Sequence, residues 1–346
     1  SAVAVLLLSN FASDSLDYLI EFQFETAQRQ DVQVTFYQVT SPAARFDLQN
    51  LPGVEEVEPF RSVAVRLRHG HYQYRSGILG LGERRDLYQL VDTRGAAIRL
   101  PPTGIVLGDK LAEMLHVKQG DHLTVEVLEG AKPTVQVEVT GIAVEYAGTN
   151  AYMRYSELNK LMRETDALSG AFLSIDQDQA VELYRQLKQT PRIASVAVKA
   201  ATVQQFRNTI AENQLMMQSF TVLFAAIIAV GVVYNTARIS LDERSRELAT
   251  LRVIGFTRAE VSAILLSELA IITLAAIPIG WVVGYGFCYS MVRGFESELF
   301  RIPMVIHASS YAQSGLIVAA AAAISGLFVR RRLDHLDLVA VLKSRE

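Results

Sequence analysis

The sequence predicts an α-helical membrane protein with a large α+β domain outside the bilayer, and three observations carry that prediction. Half of its 346 residues are hydrophobic and only 20% are charged, against about 25% charged in an average soluble chain. The long uncharged runs all lie after residue 210, so a mean hydropathy of +0.22 averages two unlike populations. Lys and Arg residues then cluster on one side of those runs. A net charge of −3 excludes a strongly basic nucleic-acid binder and an acidic tail alike. The single cysteine, Cys288, excludes a disulfide framework and a Cys-rich zinc or iron–sulfur site.

The chain opens on the apolar run Ser-Ala-Val-Ala-Val-Leu-Leu-Leu with no basic stretch before it, which a signal peptide would need. Residues 1–10 read as the outer end of a first membrane helix that is truncated here and begins upstream. An apolar N-terminal strand is the alternative.

Residues 11–200 read as the α+β domain. Asp31–Gln38 alternates as a strand, and Ser62–Arg68 and Tyr72–Leu79 flank the turn His69-Gly70. His122–Glu129 and Thr134–Thr140 form a hairpin across Gly130-Ala-Lys-Pro133. Two helix-patterned segments, Tyr155–Glu164 and Gln177–Gln189, each lead to a short strand, Ala171–Ile175 and Ser195–Val198. That order suggests a small α/β sandwich facing a second, more β-rich lobe. The domain offers little chemistry. His69-Gly-His71 has a spacing that metals sometimes use, and a polar hairpin turn accounts for it more simply. Glu55, Glu56 and Glu58 read as a solvated face, not an acid/base pair. The sequence has no nucleophile elbow, HExxH or Walker A motif, so no catalytic residue, metal or cofactor is expected in this chain.

Ala201–Met217 patterns as a helix that enters the first complete span without a breaker, making 201–238 a stalk and membrane helix. A continuous helix there would couple the outer domain to the membrane; a short linker with its own helix is the alternative. Crossing a bilayer takes about 20 helical residues. Three uncharged runs suffice: one between Glu212 and Arg238, one within 261–292 from Leu269 to Val292, and one within 308–330 from Ala308 to Val329. Arg238, Arg244, Arg246, Arg252 and Arg258 follow the first run, and Arg330, Arg331, Arg332, Lys343 and Arg345 follow the third. The connection 293–307 holds only Arg293 and Arg301. By the positive-inside rule, residues 239–260 and the tail 331–346 are cytoplasmic and the α+β domain lies outside.

Gly280-Trp-Val-Val-Gly284 and Ala322-Ala-Ile-Ser-Gly326 are small-xxx-small motifs for close helix packing, and Pro278 is expected to kink the second run. Glu268 reads as a snorkelling carboxylate, with a proton relay as the alternative. An ion-coupled carrier would want charged groups near mid-membrane, and all three runs lack them.

The most informative stretch is cytoplasmic. Asp242–Gly255 reads as a helix stopped by glycine, and Thr257-Arg-Ala-Glu260 as a capping box opening the next helix. The result is a compact protrusion suited to another protein's groove.

Glu243-Arg-Ser-Arg-Glu-Leu-Ala-Thr-Leu-Arg-Val-Ile-Gly-Phe-Thr-Arg258 resembles the signature of the FtsX-like permease family of bacterial ABC transporters, the group that includes the MacB and lipoprotein-releasing systems. Leu51-Pro-Gly-Val54, Gly104-Ile-Val-Leu107, Val117-Lys-Gln-Gly-Asp121 and Val139-Thr-Gly141 are similar to features of the family's periplasmic core domain. The resemblance implies an inner-membrane permease subunit with its α+β domain in the periplasm. It implies a coupling helix that contacts a separate ABC ATPase through Glu243, Arg246, Glu247, Arg252, Gly255 and Arg258. ATP and Mg would sit in that ATPase dimer, with none in this chain. A second permease half or subunit, membrane lipids and a periplasmic partner or lipoprotein cargo are the other implied partners; nucleic acid is not among them. The implied task is export or extraction of lipids, lipoproteins or other amphiphiles, or mechanotransmission. A membrane sensor that signals through the same helix is the alternative.

The charge asymmetry makes a topological prediction. On a Cys288→Ala background, cysteines replacing Arg244 or Arg332 should resist a membrane-impermeant thiol reagent in intact cells, and one replacing Gln119 should react. The reverse pattern would overturn the orientation.

Overall fold

The computed structural model describes residues 2–146, 148–294 and 301–335, with 331–335 and scattered helix positions after 209 described by backbone alone. It divides into a helical unit (Ser1–Leu16, Ile210–Gly294, Met304–Glu346) and an α/β unit (Asp17–Thr209, Phe295–Pro303).

The first helix, α1 (Ala2–Glu21), passes directly into a π-helical turn, Phe22–Ala27. Ala2–Ala27 is long and apolar enough to cross a membrane, so the helix runs well beyond the boundary expected near residue 10.

The α/β unit starts with β1 (Val32–Thr40), α2 (Ala43–Gln49) and β2 (Val54–His69). Next come β3 (Tyr72–Leu81), β4 (Ile105–Gly108), α3 (Asp109–Leu115), β5 (His122–Val127), β6 (Thr134–Ala143), β7 (Ala151–Arg154) and α4 (Tyr155–Met162). It ends with β8 (Leu168–Ile175), α5 (Ala180–Gln189) and β9 (Ile193–Val198). The outer strands form an antiparallel sheet in the order β2-β8-β1-β9. With α2 and α5 between them this is a split β-α-β-β-α-β arrangement. Its core joins Val32, Val34, Leu48 and Leu173 to Leu183 and Leu187.

Everything between β2 and β8 is an insertion. The pairings β3-β7-β4-β6-β5-β2, closed by β2–β3, make a six-stranded barrel, and closure removes free sheet edges. Val63, Val65 and Leu67 alternate inward along β2, and α3 and α4 add Leu111, Leu115 and Leu158 to the same core. The expected β-rich lobe is therefore this barrel. It shares a strand with the α/β lobe: Val54–Phe60 of β2 pair with β8, and Arg61–His69 pair with β3.

At the fork lies Arg61, with a relative exposure of 1%. Its guanidinium donates from Nε and Nη2 to Glu164 at 2.9 and 3.1 Å, and from Nη1 to Ser62 O and Ser169 Oγ. Glu129 lies 2.9 Å from Nη1. Gly170 lets the strands approach here, since a Cβ on it would fall 2.2 Å from Val34 O.

One reading of the acidic run is corrected. Glu55 is exposed, but Glu58 is buried and accepts from the backbone N–H groups of Asp86 (2.6 Å), Leu87 (3.2 Å) and Tyr88 (3.4 Å). It organises the loop after β3, and burial raises its pKa against those hydrogen bonds. His69 places Nδ1 3.2 Å from Leu115 O, and the His71 ring lies against Tyr72.

The helical unit adds α6 (Lys199–Ile254), α7 (Arg258–Gly294) and α8 (Ala308–His335). Among the described residues, four segments are thus long and apolar enough to span a membrane. Pro278 sits inside α7 without ending it. A Cβ on Gly280 would meet Val3 at 2.7 Å, and one on Gly284 would meet Ala4 and Leu7 at 3.0 Å, so this pair faces α1. Gly326 lies against Leu266 of α7. Ala322 lines an apolar groove of about 320 Å³ with Val233 and Leu266. Three polar residues of α1 find partners here. Asn10 bonds Ser310 O, Gln313 and Gln218, and Ser13 bonds Gln214. Asp14 accepts from the His307 N–H and the Ser310 hydroxyl.

Replacing Arg61 tests the fork. Arg61→Ala strands two carboxylates, but both are partly exposed (38% for Glu129, 25% for Glu164) and can turn to water. The loss should therefore fall near the lower end of the usual range for a broken buried pair, about 3 kcal/mol, measured by urea unfolding of the purified chain.

Candidate functional site

The expected contact surface lies where α6 meets α7. Nothing breaks the helix between Tyr234 and Ile254, so the segment from Asp242 is not a separate short helix but the last turns of α6. It ends at Gly255, whose φ of +113° strongly favours glycine. The Phe256 N–H returns to Leu251 O at 3.1 Å, the bond that closes a Schellman-type helix end. Thr257 and Glu260 cap the next helix reciprocally: Thr257 N–H donates to Glu260 Oε2 (2.7 Å) and Glu260 N–H to Thr257 Oγ1 (3.3 Å). A corner with both helix ends satisfied is stiff.

Its tip is apolar and open to solvent. Val253, Ile254 and Phe256 are 72%, 70% and 40% exposed, and Glu243, Glu247 and Glu260 on the same two helices are exposed as well. Further back, Arg244 Nη1 holds Glu268 at 2.8 Å, bracing α6 against α7. That ion pair is what the structure gives Glu268.

Of the candidate contact residues, Glu243, Glu247 and Gly255 fall on this surface. The side chains of Arg246, Arg252 and Arg258 lie outside the described residues, as do those of Arg331 and Arg332 and the whole of 295–300 and 336–346, with Lys343 and Arg345. Sequence reasoning missed Val253, Ile254 and Phe256. The available signal was three large apolar residues around a helix-stopping glycine, where a water-exposed turn normally takes polar ones.

Another cluster has metal-like proximity: Glu56, Glu58 and Asp86 bring carboxylate oxygens within 4.8 Å of one another. Glu58 already spends both oxygens on backbone N–H groups, which accounts for the cluster without an ion.

Four potential spans, a forked α/β domain and a rigid helical corner define a multi-pass membrane protein with a large outer domain. Residues 1–213 match the family model of the MacB-like periplasmic core domain and residues 219–337 that of the FtsX-like permease C-terminal region. The chain belongs to this permease family, and it is an inner-membrane protein with its α+β domain outside. The macrolide export ATP-binding/permease protein MacB of Hyphomonas neptunium (strain ATCC 15444) is 24% identical over 323 residues, covering 86% of this chain and 48% of that protein. The chain thus spans about half the length of that relative. Two solved structures are similar to it. The extracellular domain of the noncanonic ABC-type transporter YknZ from Gram-positive bacteria covers 49% of this chain and 99% of its own, at 15% identity and a TM-score of 0.32. The periplasmic region of MacB from Actinobacillus actinomycetemcomitans covers 55% and 98%, at 12% identity and a TM-score of 0.34.

The corner makes its own prediction. Gly255→Val forces a β-branched residue to positive φ, at a local cost of about 1–3 kcal/mol. Hydrogen exchange at the Phe256 amide should quicken while amides within the spans keep their protection.

Proposed function

We propose that this chain is the non-catalytic permease subunit of an ABC-type exporter, and that the α6–α7 corner is where a partner ATPase grips it. The observation that carries the reading is the exposed apolar tip Val253, Ile254 and Phe256, held between two capped helix ends. Burying each such side chain in a partner groove contributes about 1.5–3 kcal/mol. Glu247 and Arg252 would supply charge-assisted contacts, worth about 1.5–3 kcal/mol each. ATP and Mg would bind in the partner. Closure of an ATPase dimer would move the corner, and α6 would carry that motion toward the outer domain. A second permease half completes the unit. The cargo class is amphiphilic: lipids, lipoproteins or exported small molecules.

The test is a double charge reversal, Glu247→Arg with Arg252→Glu. Membrane insertion and protease resistance of the outer domain should persist, while ATPase co-purification and the transport phenotype fall together by at least tenfold. The purified chain alone should hydrolyse no ATP above background. If the reversed chain keeps full partner binding and activity, the corner is only a connection between spans. If it loses signalling but never co-purifies with an ATPase, a sensor fits better.

A further inference from the structure

Residues 301–303, which separate α7 from α8 in sequence, group with the outer domain, and Arg301 holds them there. Its Nη2 pairs with Asp109 Oδ2 at 2.9 Å, and its backbone N–H donates to Tyr146 O at 2.8 Å. Tyr146 is itself a junction: its ring meets Tyr18 at 5.9 Å and Phe22 at 5.1 Å, both edge-on, and its hydroxyl donates to Thr93 O. The outer end of the first helix and the α7–α8 connection thus fasten to the same residue, Tyr146. Asp109 ties Arg301 to the preceding residue as well, because its Oδ1 accepts the Glu145 N–H at 3.3 Å. Glu145 Oε2 is buried with no hydrogen-bond partner among the described residues. A carboxyl in such a place is tolerated as the neutral acid and costly as the anion.

We propose that Arg301 is a clamp fastening the α7–α8 connection to the outer domain, and that the protonation state of Glu145 decides whether the clamp is closed. The charged and titratable groups facing Glu145 are Asp109 at the start of α3, Tyr152 on β7, Tyr88 after β3 and, through Asp109, Arg301. Tyr146 faces Tyr18 and Asp92 in addition. Burial pushes Glu145 up to about 7, with a Tyr152 hydrogen bond pulling it down and the Asp109 charge pushing it up. Tyr88, pushed up to about 12, stays neutral throughout. The sign follows: a carboxyl raised in the folded state stabilises fully below its ordinary value near 4.3, and that stabilisation is lost as pH climbs through about 7. Above that point Glu145 is an anion beside Asp109. Its escape to water moves the Glu145–Tyr146 backbone, which carries the carbonyl that holds the Arg301 N–H.

The experiment is hydrogen exchange on the full chain in lipid nanodiscs from pH 5 to 9, corrected for intrinsic rates. Peptides covering 144–146 and 301–303 should lose protection by up to about tenfold per pH unit as pH rises toward 7 and level off above it, while peptides of the β2–β5 pairing hold theirs. Glu145→Gln, permanently neutral, should keep both segments protected to pH 9. Asp109→Asn should loosen 301–303 already at pH 5. Flat wild-type protection across the range, or an unchanged pH response in Glu145→Gln, would overturn the switch, and unchanged protection of 301–303 in Asp109→Asn would overturn the clamp. Should Glu145→Gln fail to fold, the wild-type series alone decides the switch. No ATPase enters the measurement, so its failure leaves the coupling reading untouched.

Discussion

The outer domain depends on a strand that changes partners. At each residue β2 can pair on two sides, and between Phe60 and Val65 its second partner changes from β8 to β5. Backbone groups caught in that gap would lack ladder bonds, and burying them unpaired would cost more than any one contact returns. Ser169 fills part of it, its hydroxyl accepting from the Ser62 N–H and donating to Ser62 O, and the Leu128 N–H reaches Ala64 O. Arg61 completes the repair by donating to Ser62 O and Ser169 while tying in Glu164 and Glu129 from the barrel side. A buried guanidinium is weak evidence for stability in general. Here its work is geometric: five donors in a fixed plane satisfy acceptors from both lobes at once.

Much of this architecture was legible in the sequence, for reasons specific to each part. Alternation of Val63, Val65 and Leu67 exposes a strand because one face is core and the other is not. The Gly255 stop and the Thr257–Glu260 box are local, needing only residues close in sequence, and they appear where the sequence places them. The fork was not legible. Nothing in Pro59-Phe-Arg-Ser62 says that the strand's partner lies more than 100 residues away on one side and fewer than 20 on the other. Arg61 and Glu58 look like surface charges until the distant acceptors and donors are known.

The first helix failed to show its length for the same reason. Asn10, Ser13, Asp14 and Asp17 look like the polar end of a span, because a one-dimensional reading equates polarity with water. In the structure Asn10 is 5% exposed, and its partners Gln218, Ser310 and Gln313 come from helices 200 to 300 residues further on. Helices packed in a membrane lack a hydrophobic drive toward one another, so small residues and shared hydrogen bonds hold them. This unit uses both: Gly280 and Gly284 of α7 against Val3, Ala4 and Leu7 of α1, and the amide layer around Asn10.

The candidate site then follows from length. At 1.5 Å per residue, the 56 residues of α6 extend about 84 Å, against about 30 Å for the hydrocarbon of a bilayer. Roughly 50 Å of one helix must therefore stand in water or headgroups, and water disfavours an apolar end. Val253 and Ile254 remain exposed at that end even though the Gly255 corner could have been polar at no structural cost. The caps on either side satisfy the backbone without help from those side chains. Their apolarity is thus unexplained by the caps, and an exposed apolar tip of this kind is the feature on which the proposed partner contact rests.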